Sequence, residues 1–195
     1  MDALPAKHKT IKHFHRPGDL HELTFSCYHG RALLVDDAWR RLLSIAIDRA
    51  MYRWEFRLHA FVFMPNHVHL LVSPIGELAR VSELLKSIKQ PFSRQVKNLL
   101  EEGGGPLLDV LTVQERPGTW TFRFWQEGPG YDRNLTATTS VLASIDYIHQ
   151  NPVRKKLCER ARDWKWSSAR YYESDGVEVD ADLPSIARMD ANFLA

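Results

Sequence analysis

The chain has 195 residues, 44% of them hydrophobic, which is typical of one globular domain. No apolar run reaches the length of a membrane span, the N-terminus lacks a secretory leader, and two cysteines are too few for a disulfide framework. These features predict a cytoplasmic protein that has no membrane partner.

Charge is distributed unevenly along the chain. The net charge is +2, but residues 173–195 contain six acidic residues and one arginine, so residues 1–172 carry +7. We therefore divide the chain into a basic N-terminal arm (1–19), a central domain (20–172) and an acidic C-terminal tail (173–195). A basic body suits a polyanionic partner, although a solvated surface with an acidic end explains the charge equally well.

Hydrophobic periodicity predicts the secondary structure of the central domain. In chain order it indicates a strand at 20–27, a helix capped by Asp36 or Asp37, and strands at 54–63 and 67–72 that a Pro65-Asn66 turn joins. A second helix begins at about Leu78, and a flexible insertion follows at 101–118. A strand at 119–126 and a helix at 138–151 complete the domain. Pro91 should kink or end the second helix near Gln90. The β-α-β-β-α-β order predicts an α+β fold with a ferredoxin-like (RRM-like) antiparallel sheet, followed by a further helix and a C-terminal extension.

Two histidines alternate on the third predicted strand. His67 and His69 are separated by Val68, and alternate residues of a strand share a face. Their imidazoles therefore point the same way, about 7 Å apart along the strand, and can converge on one cation. A triplet of this kind also arises by chance, so the pair alone is a weak metal signal.

Tyr147 and Asn151 are four residues apart on the last predicted helix and share one of its faces. Pro152 disfavours helical geometry at Asn151, so the helix should end there and leave the amide free to reach outward. Each residue also has a structural explanation, because a tyrosine can belong to the core and an asparagine can cap its own helix.

Three ordered motifs occur together in the chain: Met-Pro-Asn-His-Val-His-Leu-Leu-Val (64–72), Tyr-Ile-His-Gln-Asn-Pro-Val-Arg (147–154) and Asp-Trp-Lys-Trp-Ser-Ser-Ala-Arg-Tyr (163–171). Together they resemble the single-tyrosine HUH transposases of the IS200/IS605 type, and among those the REP-associated tyrosine transposases. The resemblance spans roughly residues 20–172. Residues 124–133 depart from the usual family form.

The resemblance implies a DNA transposase and endonuclease that cleaves and rejoins single-stranded DNA through a 5′-phosphotyrosine. It implies that Tyr147 is the catalytic nucleophile and that His67, His69 and Asn151 bind a divalent metal, Mg²⁺ or Mn²⁺. It also implies sequence-specific binding of hairpin (REP-like) DNA. A monomer and a homodimer fit equally well, and no residue is predicted as the general base.

Two further groups of side chains are candidates for DNA contact. Basic residues on the second helix could bind phosphates, and the aromatic segment near the C-terminus could stack on bases. A solvated helix face and core packing explain the same residues. The candidates are Lys86, Lys89, Arg94, Lys97, Trp164, Trp166 and Arg170.

Several alternatives remain open at this point. A histidine-triad hydrolase needs a third histidine where this chain has Leu71, which argues against that class. Replication initiators and relaxases cleave DNA by the same chemistry, but they usually carry helicase or larger DNA-binding regions for which this chain has no room. A domesticated, non-catalytic DNA- or RNA-binding regulator with the same fold would also fit. Tyr131, after a Gly-Pro-Gly loop, competes with Tyr147, although a rigid helix should hold the nucleophile more reproducibly.

Overall fold

The structure is a computed structural model that describes residues 19–77, 79–128 and 130–189. The predicted basic arm therefore lies outside the described residues, except for Asp19. The elements are β1 (Leu20–Ser26), α1 (Asp37–Trp54), β2 (Phe56–Phe63), β3 (His67–Pro74), α2 (Val81–Gly103), α3 (Pro106–Leu111), β4 (Thr112–Arg116), β5 (Thr119–Phe122), β6 (Tyr131–Leu135), α4 (Thr138–Arg154) and α5 (Ala169–Glu173). Within these ranges, none of the helices has the length and apolar character needed to cross a bilayer.

Four strands form one antiparallel sheet in the order β2-β3-β1-β6. Strands alternate their side chains between two faces, and each face of this sheet has its own core. Leu23 and Phe25 pack towards α1 and α2, whereas Leu20 and Leu71 pack towards α4. The predicted α+β fold with an antiparallel, ferredoxin-like sheet is thus confirmed.

The fourth strand of the sheet was predicted at 119–126, and that assignment is wrong for residues 119–122, although Trp125 forms an isolated antiparallel bridge with Cys27 just after β1. Residues 119–122 instead pair with β4 in a separate hairpin, where Trp120 is exposed. The fourth position belongs to β6, whose sequence Tyr-Asp-Arg-Asn-Leu is mostly polar. An edge strand that lines an open cleft needs little hydrophobic sequence, so its alternation signal is weak.

Two prolines lie inside helices: α2 was expected to kink or end at Pro91, and α4 was expected to end before Pro152. Helix α2 continues through Pro91, and α4 continues through Pro152 to Arg154. An interior proline costs about 3 kcal/mol or more. Burying Phe92 and Val96 after Pro91 returns about 1.5–3 kcal/mol each, which offsets that cost.

The segment predicted as a flexible insertion, 101–118, contains regular structure. It holds the end of α2, all of α3 and β4, and the turn into β5. Leu111 is fully buried in the larger core and anchors the segment there. The glycines and the proline at 103–106 mark a short break between two helices rather than an unstructured loop.

The C-terminal residues cover the outer edge of β2. Trp166 accepts a hydrogen bond at its backbone oxygen from the Phe63 N–H, and Ser168 donates its N–H to the Phe61 oxygen. Further along, the Ala187 N–H donates to Leu58 O at 2.8 Å. An uncovered edge would offer unpaired backbone groups to other chains, so this cover protects the strand.

Candidate active site

His67 and His69 lie on β3, on the face of the sheet that α4 covers. Their rings are edge to face, with centroids 4.8 Å apart, so the expectation that both point the same way agrees with the structure. In the sheet register Thr24 of β1 is paired with His69 on one side and with Tyr131 of β6 on the other. The row His69-Thr24-Tyr131 runs across the sheet beneath α4.

His69 is almost fully buried, at 5% exposure, and both its ring nitrogens have partners. The Asn151 amide nitrogen donates to Nε2 at 3.2 Å, and Nδ1 lies 2.8 Å from Thr24 Oγ1. Because Nε2 accepts, the proton of the neutral ring resides on Nδ1 and is donated to Thr24. Burial, reinforced by the nearby His67, lowers the pKa of His69 to about 3, so the ring stays neutral at physiological pH.

His67 is held in the same tautomer by a different partner. Its Nδ1 lies 2.7 Å from Asn66 Oδ1, and an amide oxygen can only accept, so Nδ1 carries the proton. The pKa of His67 is lowered by burial and by the positive charge of Lys155. Both histidines therefore present an unprotonated Nε2, the form in which imidazole binds metals.

Tyr147 lies on α4 beside the histidines. Its ring meets the ring of His69 edge to face at 5.5 Å, and the side chain is 40% exposed. The guanidinium of Arg154 lies over the ring of Tyr147, 5.2 Å from its centroid. The phenol is thus fixed by two neighbours yet open to a substrate.

Asn151 is 4% exposed and approaches His69 from within α4, not from a helix end as predicted. Its amide carries both a donor nitrogen and an acceptor oxygen, so the same side chain can offer its oxygen to a cation. Two neutral imidazoles and one amide suit Mn²⁺ better than Mg²⁺. Across the described ranges no group of three or more His, Cys, Asp or Glu side chains could hold a metal, so the candidate set depends on Asn151.

A cleft of about 650 Å³ extends from His69 between the sheet and α4. Tyr147 lines one side of it, and Tyr131, 52% exposed, lines the other. Two strand spacings separate the backbones of Tyr131 and His69, roughly 10 Å. Of these two tyrosines, Tyr147 is the one for which the described residues show a ring contact with His69, which favours it over Tyr131 as the nucleophile.

The basic candidates on α2 lie on the other side of the sheet from the histidines, because α2 packs on the opposite core. Lys97 pairs with Glu101, and Lys89 donates to the Gly128 oxygen. Lys86 and Arg94 are exposed. The fold does not bring these four residues to the site, and their contact with DNA remains a prediction.

The two aromatic candidates for DNA contact, Trp164 and Trp166, form hydrogen bonds inside the protein. Trp166 is 3% exposed and donates its indole N–H to Asp37, and Trp164 donates to the Phe63 oxygen. Arg170 donates to the Arg162 oxygen. The alternative of core packing therefore describes both tryptophans, and base stacking by Trp166 would require the segment to open.

Some residues that line the site were not predicted from the sequence. Thr24 and Glu22 face the cleft from β1, where only the sheet register shows their position. Arg154 and Lys155 place positive charge beside Tyr147 and His67. The run Arg-Lys-Lys after Pro152-Val153 was a usable signal for that charge, whereas nothing in the local sequence marks Thr24.

His149 points away from the site. It is buried, and its Nε2 lies 2.8 Å from Ser168 Oγ, a hydroxyl that also bonds the backbone of Phe61. Burial lowers the pKa of His149 to about 4. His149 therefore joins α4 to the segment that covers β2.

The chain is similar in sequence and in fold to known transposases. The family model described as "Transposase IS200 like" matches residues 21–105, which include β1, the histidine strand and α2. A Haemophilus influenzae (strain ATCC 51907 / DSM 11121 / KW20 / Rd) protein named "Putative REP-associated tyrosine transposase" is 24% identical over 123 residues. That alignment covers 63% of this chain and 64% of the relative, so it spans less than two thirds of that protein.

A solved structure resembles the whole fold. A REP-associated tyrosine transposase bound to a REP hairpin superposes with a TM-score of 0.68, covering 94% of both chains at 17% identity. At this identity the likeness shows the fold. Taken together, these comparisons confirm the resemblance to IS200-like and REP-associated tyrosine transposases.

Proposed function

From this resemblance to IS200-like transposases, we propose that the chain cleaves and rejoins single-stranded DNA through a covalent bond between Tyr147 and a 5′ phosphate. The observation that carries the proposal is the convergence of Tyr147 and Asn151 from α4 with His67 and His69 from β3. The matched family region ends at residue 105, before α4, so the support for Tyr147 comes from its ring contact with His69 and not from that match.

We infer that His67, His69 and Asn151 hold Mg²⁺ or Mn²⁺. The fit rests on two unprotonated Nε2 atoms, in rings that oxygen partners hold at Nδ1, and on the Asn151 amide. That amide lies against Nε2 of His69 through its nitrogen and would turn its oxygen toward an ion. When bound, such an ion supplies positive charge that stabilises the negative charge developing on a phosphodiester.

The chain's own contribution is the nucleophile and its surroundings. The Tyr147 oxygen attacks phosphorus in line, a new O–P bond forms, and the P–O3′ bond breaks. The phenolic proton passes to solvent and the departing 3′ oxygen takes up a proton. Because one phosphodiester replaces another, a 3′-hydroxyl can attack the phosphotyrosine in turn and rejoin the strand without ATP. The 40% exposure of Tyr147 leaves its hydroxyl accessible for both steps.

Hairpin DNA with single-stranded flanks is the substrate that we propose. The similar fold of a transposase solved with a REP hairpin supports this choice. Arg154 and Lys155 add two positive charges next to the catalytic residues, which suits a phosphate backbone. A single strand can lay its backbone in the cleft without a complementary strand in the way.

The test is covalent capture. Full-length protein is incubated with end-labelled hairpin DNA and Mn²⁺, and a shifted band is sought on a denaturing gel. We expect an adduct that EDTA suppresses, that Tyr147→Phe abolishes and that Tyr131→Phe retains, with the DNA-linked peptide mapping to Tyr147 by mass spectrometry. Binding without any adduct would instead indicate a non-catalytic regulator, and linkage at Tyr131 would overturn the assignment of the nucleophile.

A further inference from the structure

The cleft beside Tyr147 contains polar groups that the cleavage step does not use. Glu22 and Arg133 face it from neighbouring positions on β1 and β6, and Tyr131 faces it one step closer to the histidines. Small side chains on α4 (Ser140, Ala143 and Ser144) form the opposite wall. A cleft of about 650 Å³ is large enough for one nucleotide.

Glu22 is 7% exposed, which is unusual for a carboxylate. Ser144 Oγ donates to its Oε2 at 3.1 Å, and among the described residues no other side chain hydrogen-bonds it. The other carboxylate oxygen, Oε1, therefore keeps its accepting capacity, and Glu22 lines the cleft. Arg133 is exposed and forms no ion pair with any residue in the described ranges, so Glu22 is not neutralised by its cross-strand neighbour.

Tyr131 is presented to the cleft by a constrained turn. Gly130 has φ +78°, and a Cβ there would lie 2.3 Å from the Thr24 backbone oxygen. Only glycine allows this close approach, which sets β6 directly against β1. Tyr131 consequently lies in the same row of the sheet as Thr24 and His69, while about half of its surface faces solvent.

We propose that this cleft binds the base of the nucleotide next to the cleaved phosphodiester and selects its identity. The proposal rests on the proposed function, because a strand whose phosphate lies beside His69 and Tyr147 must continue into space that adjoins them. Tyr131 stacks on the base, Glu22 accepts hydrogen bonds from its edge, and Arg133 contacts the neighbouring phosphate.

The chemistry of Glu22 indicates which base is favoured. An ionised carboxylate accepts and cannot donate, so it suits an edge rich in N–H groups. Guanine offers two adjacent N–H donors on its Watson–Crick edge, whereas thymine sets a single N–H between two carbonyl oxygens. A carboxylate so close to a phosphate backbone weakens binding in general, and the compensation is discrimination between bases. We therefore assign guanine as the preferred base and thymine as the least tolerated.

The first experiment tests stacking. Binding of hairpin DNA with single-stranded flanks is measured by fluorescence anisotropy in the Tyr147→Phe protein, with abasic sites placed one at a time in the flanks. We expect one position beside the cleavage site at which an abasic site weakens binding about tenfold. Adding Tyr131→Ala should produce the same loss and make that position insensitive to the abasic site. Tyr52→Ala, which removes a 91% exposed tyrosine on α1, is the matched control and should change nothing.

The second experiment tests selection. Glu22→Gln keeps the shape of the side chain and an oxygen for Ser144, but its amide nitrogen can donate to a carbonyl. The preference for guanine over thymine at the sensitive position should fall about tenfold or more, while thermal stability is retained. An unchanged preference would overturn the role of Glu22, and abasic penalties that are equal with and without Tyr131 would overturn stacking.

The two proposals fail differently. Normal adduct formation without any coupling between Tyr131 and a flanking base would refute the cleft site and leave the cleavage reaction intact. Coupling without an adduct would leave the cleft site standing as part of a binding protein. Absence of DNA binding under all conditions would refute both.

Discussion

The two faces of the central sheet differ in composition, since one packs into the larger apolar core and the other also carries polar residues that line a cleft. On the face towards α1 and α2, β1 contributes Leu23 and Phe25 to one continuous apolar core. On the face towards α4, the same strand contributes Glu22 and Thr24, which lie beside a smaller apolar cluster. Because side chains alternate, one strand can stabilise the fold with one set of residues and build a site with the other. We expect mutations on the two faces to separate stability from chemistry.

The largest effect should come from the histidines on the α4 face. His67→Ala or His69→Ala is expected to reduce DNA cleavage on the order of a thousandfold or more, because each removes an Nε2 ligand of the proposed metal. Hairpin binding, measured by anisotropy, should change little. Equal loss of binding and cleavage in a folded variant would assign the histidines to DNA contact instead.

Asn151→Ala should reduce cleavage less, by about tenfold to a hundredfold, because water can replace a neutral amide ligand. The comparison is made as a Mn²⁺ titration of the cleavage rate, in which the variant should need more metal to reach half its maximal rate. An unchanged titration curve would remove Asn151 from the metal site.

A core residue of the opposite face should show the reverse pattern. Phe25 is 1% exposed and packs against Trp125 with ring centroids 4.9 Å apart. Phe25→Ala is expected to lower the free energy of unfolding by about 3–5 kcal/mol through the cavity that it leaves. Urea denaturation measures this loss, and cleavage by the folded fraction should stay close to normal. A variant that loses its catalytic rate while keeping its stability would break the proposed separation.

The buried His149 gives the α4 face a stability that depends on pH. Its pKa is lowered to about 4 in the folded chain, against an ordinary value near 6.5, so only the unfolded chain takes up the proton between those values. The stability that His149 provides is therefore complete above about pH 6.5 and declines as the pH falls towards 4, by up to about 1.4 kcal/mol per pH unit.

The variant His149→Gln isolates this contribution, because the titrations of His67 and His69 are common to both proteins. Urea denaturation of metal-free protein at pH 7 and pH 5 should show a smaller stability difference between wild type and variant at pH 5. The same difference at both values would mean that His149 is not held neutral by the fold.

The smallest effect should come from the acidic tail. Asp182 pairs with Arg41 and Lys165, which lower its pKa to about 2, and Glu178 pairs with Arg162. Asp182→Asn combined with Glu178→Gln should release these cations and tighten DNA binding by roughly two- to fivefold at low salt, with the gain disappearing as salt rises. These substitutions are preferable to truncation, which would also remove the Ala187 contact to β2.

The control for the tail variant removes the same charge elsewhere. Glu83→Gln with Glu102→Gln takes two acids from exposed positions on α2. Equal tightening by both double variants would show that net charge, and not the contacts of the tail, governs the effect.

Local sequence determined a large part of this protein. The alternation around His67 and His69 predicted a buried strand with both rings on one face, and the spacing of Tyr147 and Asn151 predicted a shared helix face. The order of the elements was sufficient to predict the fold class. The three motifs were sufficient to reveal the resemblance to the family. These features depend on residues within a few positions of one another, where the periods of strand and helix decide what shares a face.

Tertiary structure decided the rest, because the remaining features depend on contacts between distant segments. The mostly polar strand β6, and not the more hydrophobic 119–126, pairs with β1 at the edge of the sheet. Burial of side chains in the core allows α2 to continue past Pro91. Thr24 reached His69 only through strand register, over 45 positions in sequence. The cleft that joins Tyr131 to Tyr147 exists only because β1, β6 and α4 meet, and no single stretch of the chain contains enough of it to reveal it.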